Sequence, residues 1–293
     1  MSTERRRKHP SPVTRRASRW REQVGSVRGG GRPGCARHGQ RSERSKDRSL
    51  CARVSQGSVG QHMKPSSNSY IPALGYRWLT RFYDPIVRIT TREATFKDAL
   101  LRQASIQDGH RILDLGCGTG TLAVLIKGAH RGVEVFGLDA DPEALKLART
   151  KLEAAGLEVQ LNQGLSSALP YAAESFDRAV SSLFLHHLPS ELKLEAMREA
   201  LRVLRPGGEF HIADWGKPAN AAMRLAFVGV QLLDGFATTT DNVRGLLPEL
   251  LGRAGFENVE TTNSYSTLLG TLSLYRARKP STRLVGCAPT VCQ

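Results

Sequence analysis

The run Ile112-Leu113-Asp114-Leu115-Gly116-Cys117-Gly118-Thr119-Gly120 decides how the rest of the chain is read, together with Asp139, which lies 19 residues beyond it. A buried-type strand enters three alternate glycines, and a helical stretch, a second strand and a carboxylate follow. Open α/β sheets bind the nucleoside half of a cofactor with this arrangement. The glycines let the backbone approach a ligand with no Cβ in the way. The helix that starts near Gly120 aims amide N–H groups and its positive dipole end at the same place. Asp139, ending the strand Val133-Glu134-Val135-Phe136-Gly137-Leu138, can accept both hydroxyl protons of a ribose.

A dinucleotide fingerprint requires G-x-G-x-x-G, but position 121 is Thr and the glycines alternate. Asp114, two residues before the first glycine, would repel a pyrophosphate and suit a ligand carrying an ammonium or sulfonium. Further motifs follow in order: Gly137-Leu138-Asp139-Ala140-Asp141-Pro142, Ser175-Phe176-Asp177, Leu185-His186-His187-Leu188, Leu204-Arg205-Pro206-Gly207-Gly208 and Ala254-Gly255-Phe256. With these the chain resembles the class I S-adenosylmethionine-dependent methyltransferases, in particular their ubiquinone/menaquinone C-methylase-like small-molecule branch, over roughly Met63 to Pro280. The resemblance implies an α/β fold, a doubly wound seven-stranded mostly parallel sheet with lid helices ahead of the first strand. It implies S-adenosyl-L-methionine as cofactor. Tyr83, Asp114, Gly116, Cys117, Gly118, Gly120, Asp139, Ala140, Leu165, Ser166 and Ser182 are then the residues expected around it. Arg88, with Tyr83, could reach the methionyl carboxylate, unless the two are a solvated charge and a lid core residue. One departure stands out: the family's Gly-Asp-Ala after the third strand reads Gly164-Leu165-Ser166 here, so adenine contacts fall to backbone groups or Ser166.

Composition divides the chain. Residues 1–62 hold 16 Lys+Arg against 4 Asp+Glu, and the remaining 231 residues hold 26 against 23. The head is Gly-, Ser- and Arg-rich and too poor in apolar residues to order itself. It reads as sequence outside the native coding region, since Met63 directly precedes the resembling segment, or as a disordered basic tail for nucleic acid or an acidic membrane, or as a transit peptide. The expected organisation is a basic extension over 1–62, one domain over 63–280 and a disordered tail over 281–293. There is no apolar run of transmembrane length. The five cysteines at 35, 51, 117, 287 and 292 form no C-x-x-C pair, which suits a reducing, cytoplasmic setting. Cys117, inside the glycine loop, reads as packing.

Alternation predicts strands over 111–115, 133–138, 157–162, 176–182 and 208–214, with helices over 120–128, 142–154 and 190–203. Asp84-Pro85 starts a helix reaching about Ala104, Asp141-Pro142 starts another, and Arg205-Pro206-Gly207-Gly208 reads as a stop and turn. A mostly apolar helical segment runs from Ala219 to Phe236. The resemblance implies that it roofs an acceptor pocket; the pattern alone equally suits a helix packed on the sheet, or a contact with a second copy or a membrane surface. A helix near 244–254 and strands near 258–266 and 270–278 complete the chain, the last two as the antiparallel hairpin that the resemblance implies.

Methyl transfer from a sulfonium is an in-line displacement with a neutral leaving group. Holding the nucleophile about 3–3.5 Å from the methyl is worth as much as ~7–11 kcal/mol. A base is needed only if the acceptor has a proton to lose. His187 and Asp214 are the candidates, with Trp215 beside the latter, and His211 reads as a core histidine. Adjacent side chains in an extended segment point apart, so only one of His186 and His187 is expected to face the site. With no third ligand in sight, no metal site is expected. Ser181-Ser182-Leu183-Phe184 lacks the Asn/Asp-Pro-Pro-aromatic run of methylases acting on base amino groups or glutamine, which speaks against those acceptors. A small hydrophobic or aromatic acceptor is what the resemblance implies for the region 219–236. The rivals are a nicotinamide oxidoreductase, a non-catalytic scaffold on the same fold, and a nucleic-acid binder acting through the basic head. The oligomeric state is open.

Overall fold

The computed structural model describes residues 91–281. The expected 1–62 extension, residues 282–293 of the expected tail, Tyr83, Arg88 and the Asp84-Pro85 helix start lie outside these. The helix expected to run from Asp84 to about Ala104 does not run unbroken: a helix starts at Glu93, after Arg92 takes a left-handed φ of 57°. The described residues begin with α1 (Glu93–Ala104) and alternate through β1 (Arg111–Leu115), α2 (Thr121–Ala129), β2 (Glu134–Asp139), α3 (Pro142–Ala154) and β3 (Gln160–Gln163). Then come β4 (Phe176–Ser182), a 3₁₀ turn (Leu185–His187), α4 (Ser190–Val203), β5 (Leu204–Trp215), α5 (Ala221–Asp234), α6 (Phe236–Arg244), α7 (Leu247–Ala254), β6 (Glu257–Ser266) and β7 (Thr271–Arg278). Asp141 caps α3 as expected, its side chain accepting from the Glu143 amide with Pro142 behind it.

Seven strands form one sheet in the order β3-β2-β1-β4-β5-β7-β6. The five inner and leading strands pair in parallel, and β7 enters antiparallel between β5 and β6. The chain starts in the middle of the sheet and reverses direction of travel between β1 and β4. Loops leaving those two strands therefore diverge and open a crevice at the carboxyl ends. Helices cover both faces, as parallel strands require. One core holds Leu113, Leu115, Phe176, Phe210 and Ile212 under α4 and α7. The other holds Phe96, Leu100, Ile112, Val135, Val180 and Ala213 under α1 and α2.

Three boundaries differ from the sequence reading. The strand expected over 157–162 is only Gln160–Gln163, because Leu157 instead closes a small core with Val124 and Leu152. The Arg205–Gly208 turn is absorbed into a long β5. Phe176 pairs with Leu204 and Arg178 with Glu209, so residues 205–208 stand opposite Asp177 alone. Hydrogen bonds between Gly207 N and Lys279 O, and between Lys279 N and Gly208 O, hold this bulge to the chain after β7. The helix α6 was not expected at all, since its Thr-rich sequence Phe236-Ala237-Thr238-Thr239-Thr240 favours helix weakly.

α6 is held by buried polar contacts. Lys193 of α4 is fully buried, and its Nζ donates to the Thr238 carbonyl at 2.5 Å and to Asp241 Oδ2 at 3.2 Å. Ser190 Oγ donates to the same carboxylate at 2.6 Å. On α5 the buried side presents Phe227, Val230 and Gln231, while Leu225, Leu232 and Leu233 are exposed. Among the described residues no helix is long and apolar enough to cross a membrane.

Removing one partner of a buried ion pair strands the other. Lys193→Ala is expected to lower the unfolding free energy by about 3–5 kcal/mol in denaturant titration, with most of the loss recovered in Lys193→Met/Asp241→Leu. A single-variant loss below about 1 kcal/mol would show that this pair does not hold α6.

Candidate active site

The loop after β1 is tied to the end of β2 by its own backbone. Gly116 N and Cys117 N both donate to the Leu138 carbonyl, at 2.9 and 3.0 Å. Gly118 N donates to Asp139 Oδ2 at 2.7 Å, and Asp141 N to Asp139 Oδ1 at 2.9 Å. Each Asp139 oxygen thus spends one lone pair on the fold and keeps another for a ligand hydroxyl.

All three glycines have positive φ, but they differ in what surrounds them. A Cβ on Gly116 would lie 2.1 Å from the Phe184 ring, and one on Gly120 would lie 2.8 Å from Ala148 Cβ. A Cβ on Gly118 would meet nothing within 4 Å. Gly116 and Gly120 are therefore close-packing glycines, and Gly118 faces open space. Gly120 precedes α2 with no side-chain cap, leaving the first amides of that helix to a ligand or solvent. Cys117 is buried with its Sγ 3.0 Å from where a Gly137 Cβ would stand, and burial pushes its thiol well up, so it packs the loop as a neutral group.

Asp114 is 1 % exposed, and neither carboxylate oxygen has a well-formed hydrogen bond. Burial raises its pKa to about 7. The Lys97 charge opposes this, the Asp139 charge adds to it, and the Ala123 amide makes a lesser opposing contribution. On the neighbouring β4, Ser182 Oγ is buried without a partner. Asp114 stands in register with Val180, so Ser182, two residues on, shares its face of the sheet. Unpartnered buried acceptors and donors at the switch point, beside an open glycine, fit a polar ligand that carries positive charge. At the β3 end Ser166 is nearly buried, Leu165 is 46 % exposed, and Gly164 N donates to the Asp139 carbonyl. Ala140 accepts from Gln163 Nε2 through its carbonyl.

Beyond β4 the expectation that His186 and His187 point apart is overturned. Residues 185–187 form a 3₁₀ turn rather than extended chain, and the two rings lie 4.0 Å apart at their centroids. His186 Nδ1 meets Asp214 Oδ1 at 2.7 Å, and its Nε2 faces Asp234 Oδ2 at 3.6 Å. His187 Nδ1 lies 3.8 Å from Asp234 Oδ1. Asp214 is fully buried, and its carboxylate also accepts from Trp215 N at 2.7 Å and Asn242 Nδ2 at 3.4 Å. It is turned to His186 and, fully buried, is itself shut off from the crevice. Burial pushes the His187 pKa well down; at His186 burial also lowers the pKa, but the Asp214 charge outweighs it and the net shift is upward. His211 is fully buried, with Gln103 Nε2 3.1 Å from its Nδ1. Sequence reasoning missed Asp234 and Asn242. The signal for the first was present: it is the lone acid in the apolar run 221–236.

The chain matches the model of a methyltransferase domain over residues 112–208. It is 38% identical over 117 residues to the demethylmenaquinone methyltransferase of Thermus thermophilus, covering 40% of this chain and 52% of that protein. It is 31% identical over 212 residues to an uncharacterized methyltransferase of Synechocystis, covering 71% of this chain and 94% of that one. The chain spans 63% and 52% of the length of two other curated relatives it matches, the Thermus protein being the second. A solved structure, YcgJ of Bacillus subtilis, shares the fold with a TM-score of 0.52 at 17% identity, covering 63% of this chain and 97% of that one. With the strand order, the glycine loop and the Asp139 clamp in place, the chain belongs to the class I S-adenosylmethionine-dependent methyltransferases.

Proposed function

We propose that this protein transfers a methyl group from S-adenosyl-L-methionine to a small hydrophobic or aromatic acceptor. The observation that carries the reading is the buried Asp114 carboxylate, which no well-formed hydrogen bond satisfies, beside the open Gly118 and the half-committed Asp139. The bound cofactor supplies an electrophilic methyl on a sulfonium whose departure leaves a neutral thioether. Asp114 answers the positive charge of the methionyl end, and Ser182 Oγ offers a further polar contact there. Gly116, Cys117 and Gly120 shape the loop, and Gly118 admits the ligand to the backbone. Asp139 takes the ribose hydroxyls, with the Ala140 backbone beside it. Leu165 covers the adenine edge, and Ser166 stands where the family's aspartate would. Tyr83 is proposed on the resemblance alone to meet the methionyl end.

On the acceptor side, we assign loss of an acceptor proton to the cluster at the carboxyl ends of β4 and β5. His187 is its neutral, partly accessible member, and Asp214 is a positioning residue that fixes His186. The apolar character of α5, and a relative named for demethylmenaquinone, a hydrophobic quinone, support an apolar acceptor. A nucleic-acid acceptor has less support, because the chain beyond residue 62 is nearly charge-balanced.

Calorimetric titration with S-adenosylhomocysteine is expected to give micromolar binding that Asp139→Ala abolishes, with NAD inert. Absence of binding to the intact chain would sink the reading. Gly118→Ala is expected to cost about 1–2 kcal/mol of stability, the left-handed penalty for alanine, yet to lose binding at least tenfold. Gly116→Ala should lose about 1–3 kcal/mol on top of that same penalty, because it also drives a methyl into Phe184. Equal binding by Gly118→Ala and the parent would show that the ligand does not approach there.

Asp114 links binding to pH. Burial favours its neutral form, so the stability it contributes is full below the ordinary 3.8 and is lost as pH climbs through about 7. A cationic ligand favours the ionised form. Affinity for S-adenosylmethionine should therefore rise between pH 5.5 and 7.5 and level off above, and Asp114→Asn should flatten that profile.

A further inference from the structure

We propose that His186, His187 and Asp234 form a binding site for a divalent transition-metal cation. These three residues bring one ligand atom each to within 4.8 Å of one another. The hydrogen bond from His186 Nδ1–H to Asp214 fixes which nitrogen is available. With Nδ1 carrying the proton, Nε2 presents a lone pair, and it faces the Asp234 carboxylate at 3.6 Å. His187 Nδ1 faces the other oxygen of that carboxylate at 3.8 Å. Both separations are too long for hydrogen bonds. They approach the roughly 3.4 Å between two donors that each sit about 2.1 Å from a tetrahedral centre.

The surroundings suit a metal. The Asp214–His186 contact is the carboxylate–histidine support that orients metal-bound imidazoles, and Asp214 is itself held by Trp215 N and Asn242. The site is sheltered, with side-chain exposures of 4 % for His186, 15 % for His187 and 8 % for Asp234. Two imidazoles and one carboxylate favour zinc, iron(II), cobalt or manganese over magnesium, which prefers oxygen donors and retained water. Three protein donors leave at least one coordination position open. The turn follows Phe184, whose ring packs on Gly116, so the cluster stands beside the cofactor loop. If the methyl-transfer reading holds, a bound ion would replace His187 as the agent of proton loss, because its open position would take an acceptor oxygen and lower that oxygen's pKa; the metal site itself does not depend on that reading.

The alternative occupant is a proton, which would make His186 an imidazolium between Asp214 and Asp234. Cobalt(II) distinguishes the two. The full-length chain, stripped with a chelator and titrated with Co²⁺ in the absence of cofactor, is expected to bind one equivalent with visible d–d absorption of a four- or five-coordinate ion. Asp234→Asn and His187→Gln should each weaken that signal at least tenfold, with melting temperatures near the parent's for at least one of them. Absorption that neither variant changes would place the ion elsewhere and overturn the proposal, as would no d–d signal at millimolar Co²⁺. Because cobalt is read without acceptor or cofactor, a failure here is separate from a failure to bind S-adenosylhomocysteine.

Discussion

The site depends on one small clamp, the Asp139 carboxylate holding the amides of Gly118 and Asp141. An unsupported glycine loop would sample many conformations and lose them all on binding a ligand. Here the loop is frozen in advance by the Leu138 carbonyl, which accepts from Gly116 and Cys117, and by the carboxylate one residue later. The residue proposed to bind the ribose therefore also fixes the loop proposed to receive the methionyl end. Two strands that are neighbours in the sheet, β1 and β2, become one rigid receptor, and rigidity there cuts the ordering cost of association.

Much of this frame was legible in the sequence. The Asp141-Pro142 cap, the strand at Phe176–Ser182 and the helix at Ser190–Val203 are each set by local signals: a capping side chain, a β-branched or aromatic run, a helical spacing of apolar residues. The glycine triplet could be located but not divided into roles. That Gly116 is required by Phe184 and Gly120 by Ala148, while Gly118 is open, follows from residues 68 and 28 positions away, and spacing carries no trace of them. The extent of β5 was misjudged for a related reason. Gly207 and Gly208 read as a turn, yet the chain after β7 supplies partners that keep them in the ladder as a bulge.

The acceptor side was least legible. The adjacent histidines read as pointing apart only if the chain after Ser182 stays extended. Leu183 instead adopts positive φ, and the chain turns into a single 3₁₀ turn. At roughly 120° per residue, neighbouring side chains in such a turn no longer oppose each other. Asp234 arrives from the far end of a helix whose other residues signal only apolar packing. A lone acid at the end of an apolar helix is ordinarily a solvated terminus. Its burial against two imidazoles depends on how α5 and α6 fold back, and that in turn depends on Lys193 and Asp241.

The energetics of this corner argue that it is kept for something other than stability. Two carboxylates and two imidazoles lie within a few ångströms of one another, nearly without water, where each charge incurs a desolvation cost. Asp214 is compensated by four donors, two of them from His186, and His186 by Asp214, but Asp234 is not: burial raises its pKa, and the His186 charge only partly opposes this. A core selected for stability alone would fill this volume with apolar side chains, as it does beneath α4 and α7. The β-sheet ends nearest the cofactor loop are instead given to titratable groups, each oriented by a neighbour. Strain of this kind persists where a bound charge relieves it, whether that charge is a proton taken from an acceptor or a cation that holds one.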